Sequence, residues 1–309
     1  MNFELTPDQE ALVSAIDKLA QRFEVKPTEF HGFALAGGEL ERELEEGEYF
    51  GLAHIPELGP LAAALAVERL ARAPYAAEIA FSMLVRPQLP GEWPRPVALI
   101  EHGRPGRFVT LARTIMVIEG ESIGLAQPAQ GEAQPVDSLF AYPMGKLRAG
   151  VKLTPLSSDE TATVKKWLRI ALAAEASGLL HAAIASTVEH LTQRKQFGRP
   201  LGTFQALRHR MAECTVLAGG VRWLALKAAA TADEGDAALA AMHAQNSATR
   251  VVYDVHQMLA AMGMTLEHPL HLWTYRLKAL LSELGGRGGQ AQAVAEYCFS
   301  DPMAVTLGD

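Results

Sequence analysis

Apolar residues recur at helical spacing near the start of the chain. Thr6 and Gln9 form a capping-box pattern, with Pro7 at the first helical position. The apolar positions behind them lie three or four residues apart: Leu12, Ile16, Leu19 and Phe23. A short acidic helix is predicted over 39–46, and a longer Ala- and Leu-rich helix from Pro60 to about Val85. The pattern predicts a helical N-terminal domain, residues 1–86.

Helical periodicity stops near Arg86. Prolines at positions 87, 90, 94 and 96 interrupt any helix. Short apolar segments at 97–100, 108–111 and 114–118 then alternate with turns that contain glycine. The connections between these segments are too short for crossover helices. The sequence therefore predicts a small antiparallel β domain within residues 87–156.

The remainder of the chain is again amphipathic at helical spacing. Ser157 and Glu160 form a second capping-box pattern, which opens a long helix predicted to end near Gln196. Three more helices are predicted: one after Thr203, one that runs to about Met262, and one from Pro269 to Leu284, before a turn at 285–289. Long helices joined by short loops predict an antiparallel bundle over 157–309. The predicted fold is thus mostly α with a small β domain: N-terminal helices, a middle antiparallel β region and a C-terminal four-helix bundle.

Composition narrows the possible functions. The 309 residues carry a formal net charge of −7, and Lys and Arg form no run, which argues against nucleic-acid binding. Two cysteines, Cys214 and Cys298, are too few for a disulfide framework. The sequence contains no Glu-x-x-His pair for a di-iron bundle, no apolar stretch long enough for a bilayer and no signal segment. We therefore predict a cytoplasmic protein with no metal site and no membrane insertion.

The most informative segment joins the first two helices of the predicted bundle. It reads Arg194-Lys195-Gln196-Phe197-Gly198 and is followed by Phe204-Gln205-Ala206. In the structural interpretation, basic residues at the C-terminal end of a helix interact favourably with the helix dipole, and the chain then makes a tight turn. As a binding site, it offers an arginine for bidentate phosphate contacts, an aromatic ring and a glutamine amide. The residues alone leave both interpretations open.

This segment resembles the signature at the second bundle turn of acyl-CoA dehydrogenases. Further segments resemble the family in the same order: residues 3–9 its opening, residues 51–59 its "G-x-P-E-x-x-G" segment, and residues 257–270 its "Q-x-x-G-G-x-G-x-T-x-E-H-x-L" segment. The resemblance spans nearly the whole chain. It implies FAD as cofactor, α,β-dehydrogenation of an acyl-CoA substrate and an electron-acceptor flavoprotein.

In this family each FAD lies between two subunits, and the signature residues reach the neighbour's cofactor. The resemblance implies that Arg194 contacts the FAD pyrophosphate and that Gln196 and Phe197 contact the adjacent cofactor surface. It also places Gln205 and Gln257 at the adenosine end. These residues would serve the FAD of a partner subunit.

The chain departs from the family where a subunit's own site is built. Between Leu89 and Leu156 it contains nothing like the family's "T-E-P-x-x-G-S-D" stretch. The glycine pair after Gln257 is replaced by alanines at 260 and 261, which partly blocks backbone approach to the cofactor. Both positions at which family members carry the catalytic glutamate are leucines, Leu168 and Leu284.

Two other carboxylates are weak candidates for the catalytic base. Abstracting a proton α to a thioester requires a carboxylate aimed at that carbon. Glu283 adjoins Leu284 but would point about 100° away around a helix. Glu175 lies in an apolar helical stretch, where a paired structural role is at least as well supported as a catalytic one. No catalytic residue is therefore assigned.

Two functions remain open. The first is a non-catalytic subunit that completes the FAD site of a full-length acyl-CoA dehydrogenase chain. This arrangement is similar to the small subunits of bacterial heterotetramers, two copies of each chain, that act on steroid side-chain CoA thioesters. The second is a degenerate scaffold paralogue that has kept only its oligomerisation surface. The retained Arg194, Phe197, Gln205 and Gln257 favour the first, because a scaffold does not need a phosphate-directed arginine.

Overall fold

The computed structural model describes residues 4–24, 26 and 29–299. Phe3 of the family-like opening and residues 300–309 of the predicted bundle domain lie outside the described residues. The α-helices of the described part are α1 (Pro7–Gln21), α2 (Gly38–Glu46), α3 (Gly59–Leu70), α4 (Ser158–Gln193), α5 (Gln205–Thr231), α6 (Glu234–Leu259), α7 (Leu270–Leu280) and α8 (Gly286–Phe299). The strands are β1 (Leu35–Ala36), β2 (Tyr75–Ala76), β3 (Val97–Glu101), β4 (Gly106–Arg107), β5 (Thr114–Glu119), β6 (Ser122–Ala126), β7 (Ala133–Pro135), β8 (Met144–Leu147), β9 (Thr154–Pro155), β10 (Lys195–Gln196) and β11 (Arg199–Pro200). The predicted order of helices, small β region and helices is confirmed, while the domain boundaries stay a prediction.

The N-terminal helices follow the sequence pattern only in part. Both halves of the predicted capping box at Thr6 and Gln9 are present at the start of α1. The predicted helix from Pro60 to Val85 is wrong in its second half, because α3 ends at Leu70 and the chain continues through β2 to a π-helical turn at Phe81–Val85. The cause is a set of tertiary hydrogen bonds from a distant helix. Arg276 of α7 donates hydrogen bonds to the carbonyl oxygens at positions 71, 73 and 75, which a continuing helix would have used internally.

The middle region contains two sheets, with strand orders β3-β5-β6-β9 and β4-β8-β7. The prediction of an antiparallel region is wrong for one pair, since β3 and β5 are parallel. The chain leaves β3, pairs briefly as β4 in the second sheet, and returns to run beside β3 in the same direction. The predicted strand at 108–111 is a turn in which Phe108 has a φ of 63°.

The C-terminal helices pack around α4. The predicted capping box of Ser157 and Glu160 opens this helix, which ends at Gln193, three residues before its predicted end. The last predicted helix is also shorter than expected and ends at Leu280. The predicted turn at 285–289 instead begins a further helix, α8, because positive φ angles at Gly285 and Gly286 redirect the chain.

Close packing of α3 on α4 joins the N-terminal helices to the bundle. At Gly178 of α4 a Cβ atom would lie 2.2 Å from the carbonyl oxygen of Glu68, so only glycine permits this approach. By length and composition α4 could cross a membrane, which differs from the expectation from the sequence. However, 78% of its most apolar 18-residue stretch is buried inside the protein. The apolar side chains of α4 therefore form part of the protein core.

Candidate functional site

The signature segment forms a two-residue β-hairpin at one end of the bundle. β10 and β11 pair antiparallel, and the residues between them, Phe197 and Gly198, have φ angles of 54° and 77°. Positive φ at both central residues defines a type I′ turn, for which Asn-Gly is preferred. Phe197 thus holds a backbone conformation that is unfavourable for a bulky residue. Its ring is 90% exposed and meets Phe204 edge to face, with ring centroids 6.1 Å apart.

Arg194 lies directly before this hairpin. Its main chain is fixed, because its N–H donates to the carbonyl of His190 and its carbonyl accepts from the N–H of Leu201. Its guanidinium is exposed and makes no hydrogen bond or ion pair with any other residue in the described part of the chain. The side chain is therefore free to bind an anion from outside this chain.

The other predicted cofactor contacts lie at the same end of the bundle. Because α4, α5 and α6 alternate in direction, the last turns of α4 and α6 lie beside the first turn of α5. Contact between the rings of His190 in α4 and His268 after α6, with centroids 5.6 Å apart, reflects this arrangement. The predicted contacts are all exposed: Arg194, Gln196, Phe197, Gln205 and Gln257. The structure therefore places residues up to 63 positions apart in the chain at the same end of the bundle.

The segment after Gln257 keeps a glycine-type backbone without a glycine. Ala260 caps α6 with φ 50° and ψ −128°. This conformation is normally occupied by glycine, as at the first central position of a type II′ turn. Alanine thus occupies a backbone conformation that favours glycine, at a position where the resembled family segment has glycine.

The two candidate bases share one buried arginine. Arg107 of β4 is 2% exposed. Its Nη1 lies 2.7 Å from Oε2 of Glu175, and its Nε lies 2.7 Å from Oε1 of Glu283. The Tyr142 hydroxyl donates to the other oxygen of Glu175 at 2.7 Å. Both oxygens of Glu175 are therefore occupied, which supports the paired structural role.

Glu283 lies at the start of a tight turn and not within an α-helix. Leu284 has a φ of 56°, and its N–H donates to Oε1 of Glu101 at 2.7 Å. Burial raises the pKa of Glu283 more than the adjacent Arg107 lowers it. The cavity beside this turn has a volume of about 70 Å³. Small-molecule sites occupy several hundred Å³, so this space does not accommodate a thioester beside a flavin.

Sequence reasoning missed Arg107, Tyr142 and Glu101, which organise this region. Arg107 faces the Phe81 ring at 4.4 Å and the Tyr142 ring at 5.3 Å. An arginine at the end of a short strand has no local signal for burial. The available clue was Glu175 itself, because a carboxylate in an apolar helix requires a cationic partner.

Comparisons with known proteins find a matching family model and several relatives for the C-terminal part of the chain. Residues 163–296 match the family model "Acyl-CoA dehydrogenase, C-terminal domain". The acyl-CoA dehydrogenase IpdE2 of Mycobacterium tuberculosis is 32% identical over 142 residues, which are 44% of this chain and 45% of that protein. The matched stretch thus spans about half the length of this relative.

Solved structures resemble nearly the entire chain. A chain of the ChsE4-ChsE5 complex from Mycobacterium tuberculosis has a TM-score of 0.75 at 18% identity, covering 98% of this chain and all of that one. The Tcur3481-Tcur3483 steroid ACAD has a TM-score of 0.72 at 19% identity, covering 95% of this chain and 98% of that one. These likenesses define an acyl-CoA dehydrogenase fold. The match to the family model identifies residues 163–296 as an acyl-CoA dehydrogenase C-terminal domain.

Proposed function

We propose that this chain is the non-catalytic subunit of a heteromeric, FAD-dependent acyl-CoA dehydrogenase, and that it completes the FAD site of the catalytic chain. One contrast carries the proposal. The side chains of Arg194 and Phe197 are exposed and face outward, whereas Glu175 and Glu283 are both bound to Arg107 inside the protein.

The exposed end of the bundle fits part of an FAD molecule. The Arg194 guanidinium is suited to a diphosphate, the Phe197 ring to a planar surface, and the amides of Gln205 and Gln257 to polar edges. When bound, FAD accepts the hydride removed from the acyl chain. The residues of this chain would neutralise the diphosphate, exclude water and orient the cofactor. The partner would supply the base that takes the α proton.

The region around Leu168 and Leu284 does not fit a complete site. Neither leucine can accept a proton, and the cavity beside Leu284 is only about 70 Å³. A heteromer is also supported by the likeness to the ChsE4-ChsE5 complex. The proposal includes a full-length acyl-CoA dehydrogenase as partner, an electron-acceptor flavoprotein and a cytoplasmic location. A steroid side-chain CoA thioester is the proposed substrate, in keeping with the steroid ACAD among the similar structures.

The test is to purify the tagged chain from cells that also make its partner and to measure flavin per complex. We expect Arg194→Ala to weaken flavin retention roughly 10-fold or more, because a hydrogen bond to a charged group contributes about 1.5–3 kcal/mol. Arg199→Ala is the matched control. Arg199 is also exposed, lies on the same hairpin and faces the Phe204 ring at 4.1 Å. Equal flavin content in both variants would contradict the proposal and support the scaffold alternative.

A further inference from the structure

The segment after α1 lies against the end of the bundle that carries the β10–β11 hairpin. We call Lys26 and residues 29–33 the strap, and it contacts the loop that joins α6 to α7. The ammonium group of Lys26 lies 3.4 Å from the carbonyl oxygens of both Leu266 and Glu267 in this loop. It also donates to the carbonyl oxygen of Phe30 at 2.7 Å. An ammonium group has three N–H donors, so all of them can be directed at main-chain oxygens of the strap and the loop.

A second set of contacts fixes the strap to α7. His271 is 2% exposed, and its Nε2 lies 3.0 Å from the carbonyl oxygen of Gly32 in the strap. Its Nδ1 lies 2.9 Å from the carbonyl oxygen of His268 in the α6–α7 loop. The Phe33 ring lies nearly parallel to the Tyr275 ring, with centroids 6.2 Å apart. The strap is thus held at two places, by the charge of a lysine on the loop and by ring contacts on α7.

The α6–α7 loop in turn contacts the last turn of α4. The rings of His268 and His190 meet edge to face, with centroids 5.6 Å apart and planes at 89°. Burial lowers the pKa of His268 to about 4, so its ring is neutral at neutral pH and can lie near Lys26 without charge repulsion. The carbonyl oxygen of His190 accepts the main-chain N–H of Arg194 at 2.9 Å. A continuous series of contacts therefore leads from Lys26 to the main chain of Arg194.

The direction of the Arg194 side chain depends on this support. Its guanidinium has no hydrogen-bond or ion-pair partner in the described part of the chain, so its direction is set by the last turn of α4. We propose that Lys26 is a positioning residue for the anion contact of Arg194, because it holds the α6–α7 loop against that turn. This inference rests on the proposed function and deepens it. It makes the strap a part of the surface that meets the partner's cofactor.

The first test uses the isolated full-length chain and trypsin, which cleaves after Arg194 and Lys195 at the start of the hairpin. Lys26→Met removes the ammonium group and keeps the apolar stem of the side chain. We expect cleavage at the hairpin to become roughly 10-fold faster, because local opening of this end then competes with fewer hydrogen bonds to a charged group. Cleavage after Lys152, in the exposed segment before β9, should keep its rate. Lys18→Met is the matched control, because Lys18 is also exposed and lies in the last turn of α1.

The second test is a double-mutant cycle on flavin loss from the purified complex. Lys26→Met and Arg194→Ala should each speed flavin dissociation roughly 10-fold. The double variant should lose flavin no faster than Arg194→Ala alone, because Lys26 acts only through Arg194. A lysine that serves stability alone would instead give two effects that multiply, as independent sites do.

Three results would overturn the inference. These are equal hairpin cleavage in Lys26→Met and Lys18→Met, equal acceleration of cleavage after Lys152, and effects on flavin loss that multiply in the double variant. Flavin loss in Arg194→Ala together with unchanged hairpin cleavage in Lys26→Met would refute this inference alone. Faster hairpin cleavage in Lys26→Met together with full flavin retention in Arg194→Ala would refute the proposed function alone.

Discussion

Two residues at the end of the bundle that carries the β10–β11 hairpin hold backbone conformations that favour other residue types. Phe197 has a φ of 54° in a type I′ turn, and Ala260 has φ 50° with ψ −128°. Such conformations cost on the order of 1–3 kcal/mol each and persist where the surrounding structure enforces them. Both residues lie beside predicted cofactor contacts, Gln196 and Gln257. The strain at this end of the bundle can therefore be measured by substituting these two residues.

Replacing Phe197 by Asn should separate stability from function. Asn suits the first central position of a type I′ turn, so the isolated chain should gain about 1 kcal/mol in its free energy of unfolding. The complex should at the same time lose flavin, because the exposed ring is gone. Urea unfolding and flavin content are the two measurements, and Phe197→Ala is the control that removes the ring without favouring the turn. A less stable Asn variant would mean that the ring packs against this chain.

Replacing Ala260 by Gly should also stabilise the isolated chain, by about 1 kcal/mol. The relief of backbone strain exceeds the roughly 0.5–1 kcal/mol that glycine costs in the unfolded state. Ala261→Gly is the control, since Ala261 has no positive φ and should only lose stability. The measurement is the midpoint of chemical unfolding. If both variants lose stability equally, the conformation of Ala260 is not strained.

At the scale of elements, Arg107 connects three parts of the chain. It joins β4 to the middle of α4 through Glu175 and to the turn after α7 through Glu283. The pairs are 68 and 176 positions apart in sequence. An arginine buried between two carboxylates is costly to disturb, because removing one partner leaves an uncompensated charge. These two ion pairs therefore fix the position of the β region against the bundle.

The variants Glu175→Gln and Glu283→Gln should keep most of the dehydrogenase activity when assembled with the wild-type partner. A true general base should lose roughly 10²-fold in turnover when it is neutralised. Glu175→Gln should instead lower stability by about 3 kcal/mol, as breaking a buried ion pair does. Glu283→Gln should cost less, because burial raises the pKa of Glu283, so that folding disfavours its charged form.

The comparison must use purified complex with full flavin content, because poor assembly would imitate a catalytic defect. Thermal unfolding of each variant supplies the stability measurement. A large loss of turnover with unchanged flavin content and melting temperature would make this chain the catalytic subunit.

Elements with local signals were predicted well from the sequence, whereas those set by distant contacts were not. The capping boxes at Thr6 and Ser157 locate two helix starts because all their partners lie within three residues. The end of α3 depends on Arg276, about 200 positions away, so periodicity alone extended that helix too far. The residues predicted to contact a cofactor were named from a family resemblance, and their role stays a prediction. The Arg107 network, with no local pattern of its own, was not foreseen.

At the scale of the whole molecule, the residues proposed to contact a cofactor are exposed, and the cavity beside Leu284 is only about 70 Å³. We therefore expect the chain expressed without a partner to bind FAD poorly. The measurement is the visible absorbance of bound flavin per chain after purification, with the coexpressed complex as the positive control. One flavin per chain in a homo-oligomer would contradict the proposed heteromer.

The 36 residues of α4 form a single uninterrupted helix that carries both Glu175 and, at its end, Arg194. Along an ideal helix these residues are separated by about 28 Å. Inserting one residue between them would rotate the hairpin by about 100° around the helix axis. Arg194 would then point away from the proposed subunit interface, although no side chain had changed. Homologues that share this function should therefore conserve the number of residues between these two positions even where the intervening side chains differ.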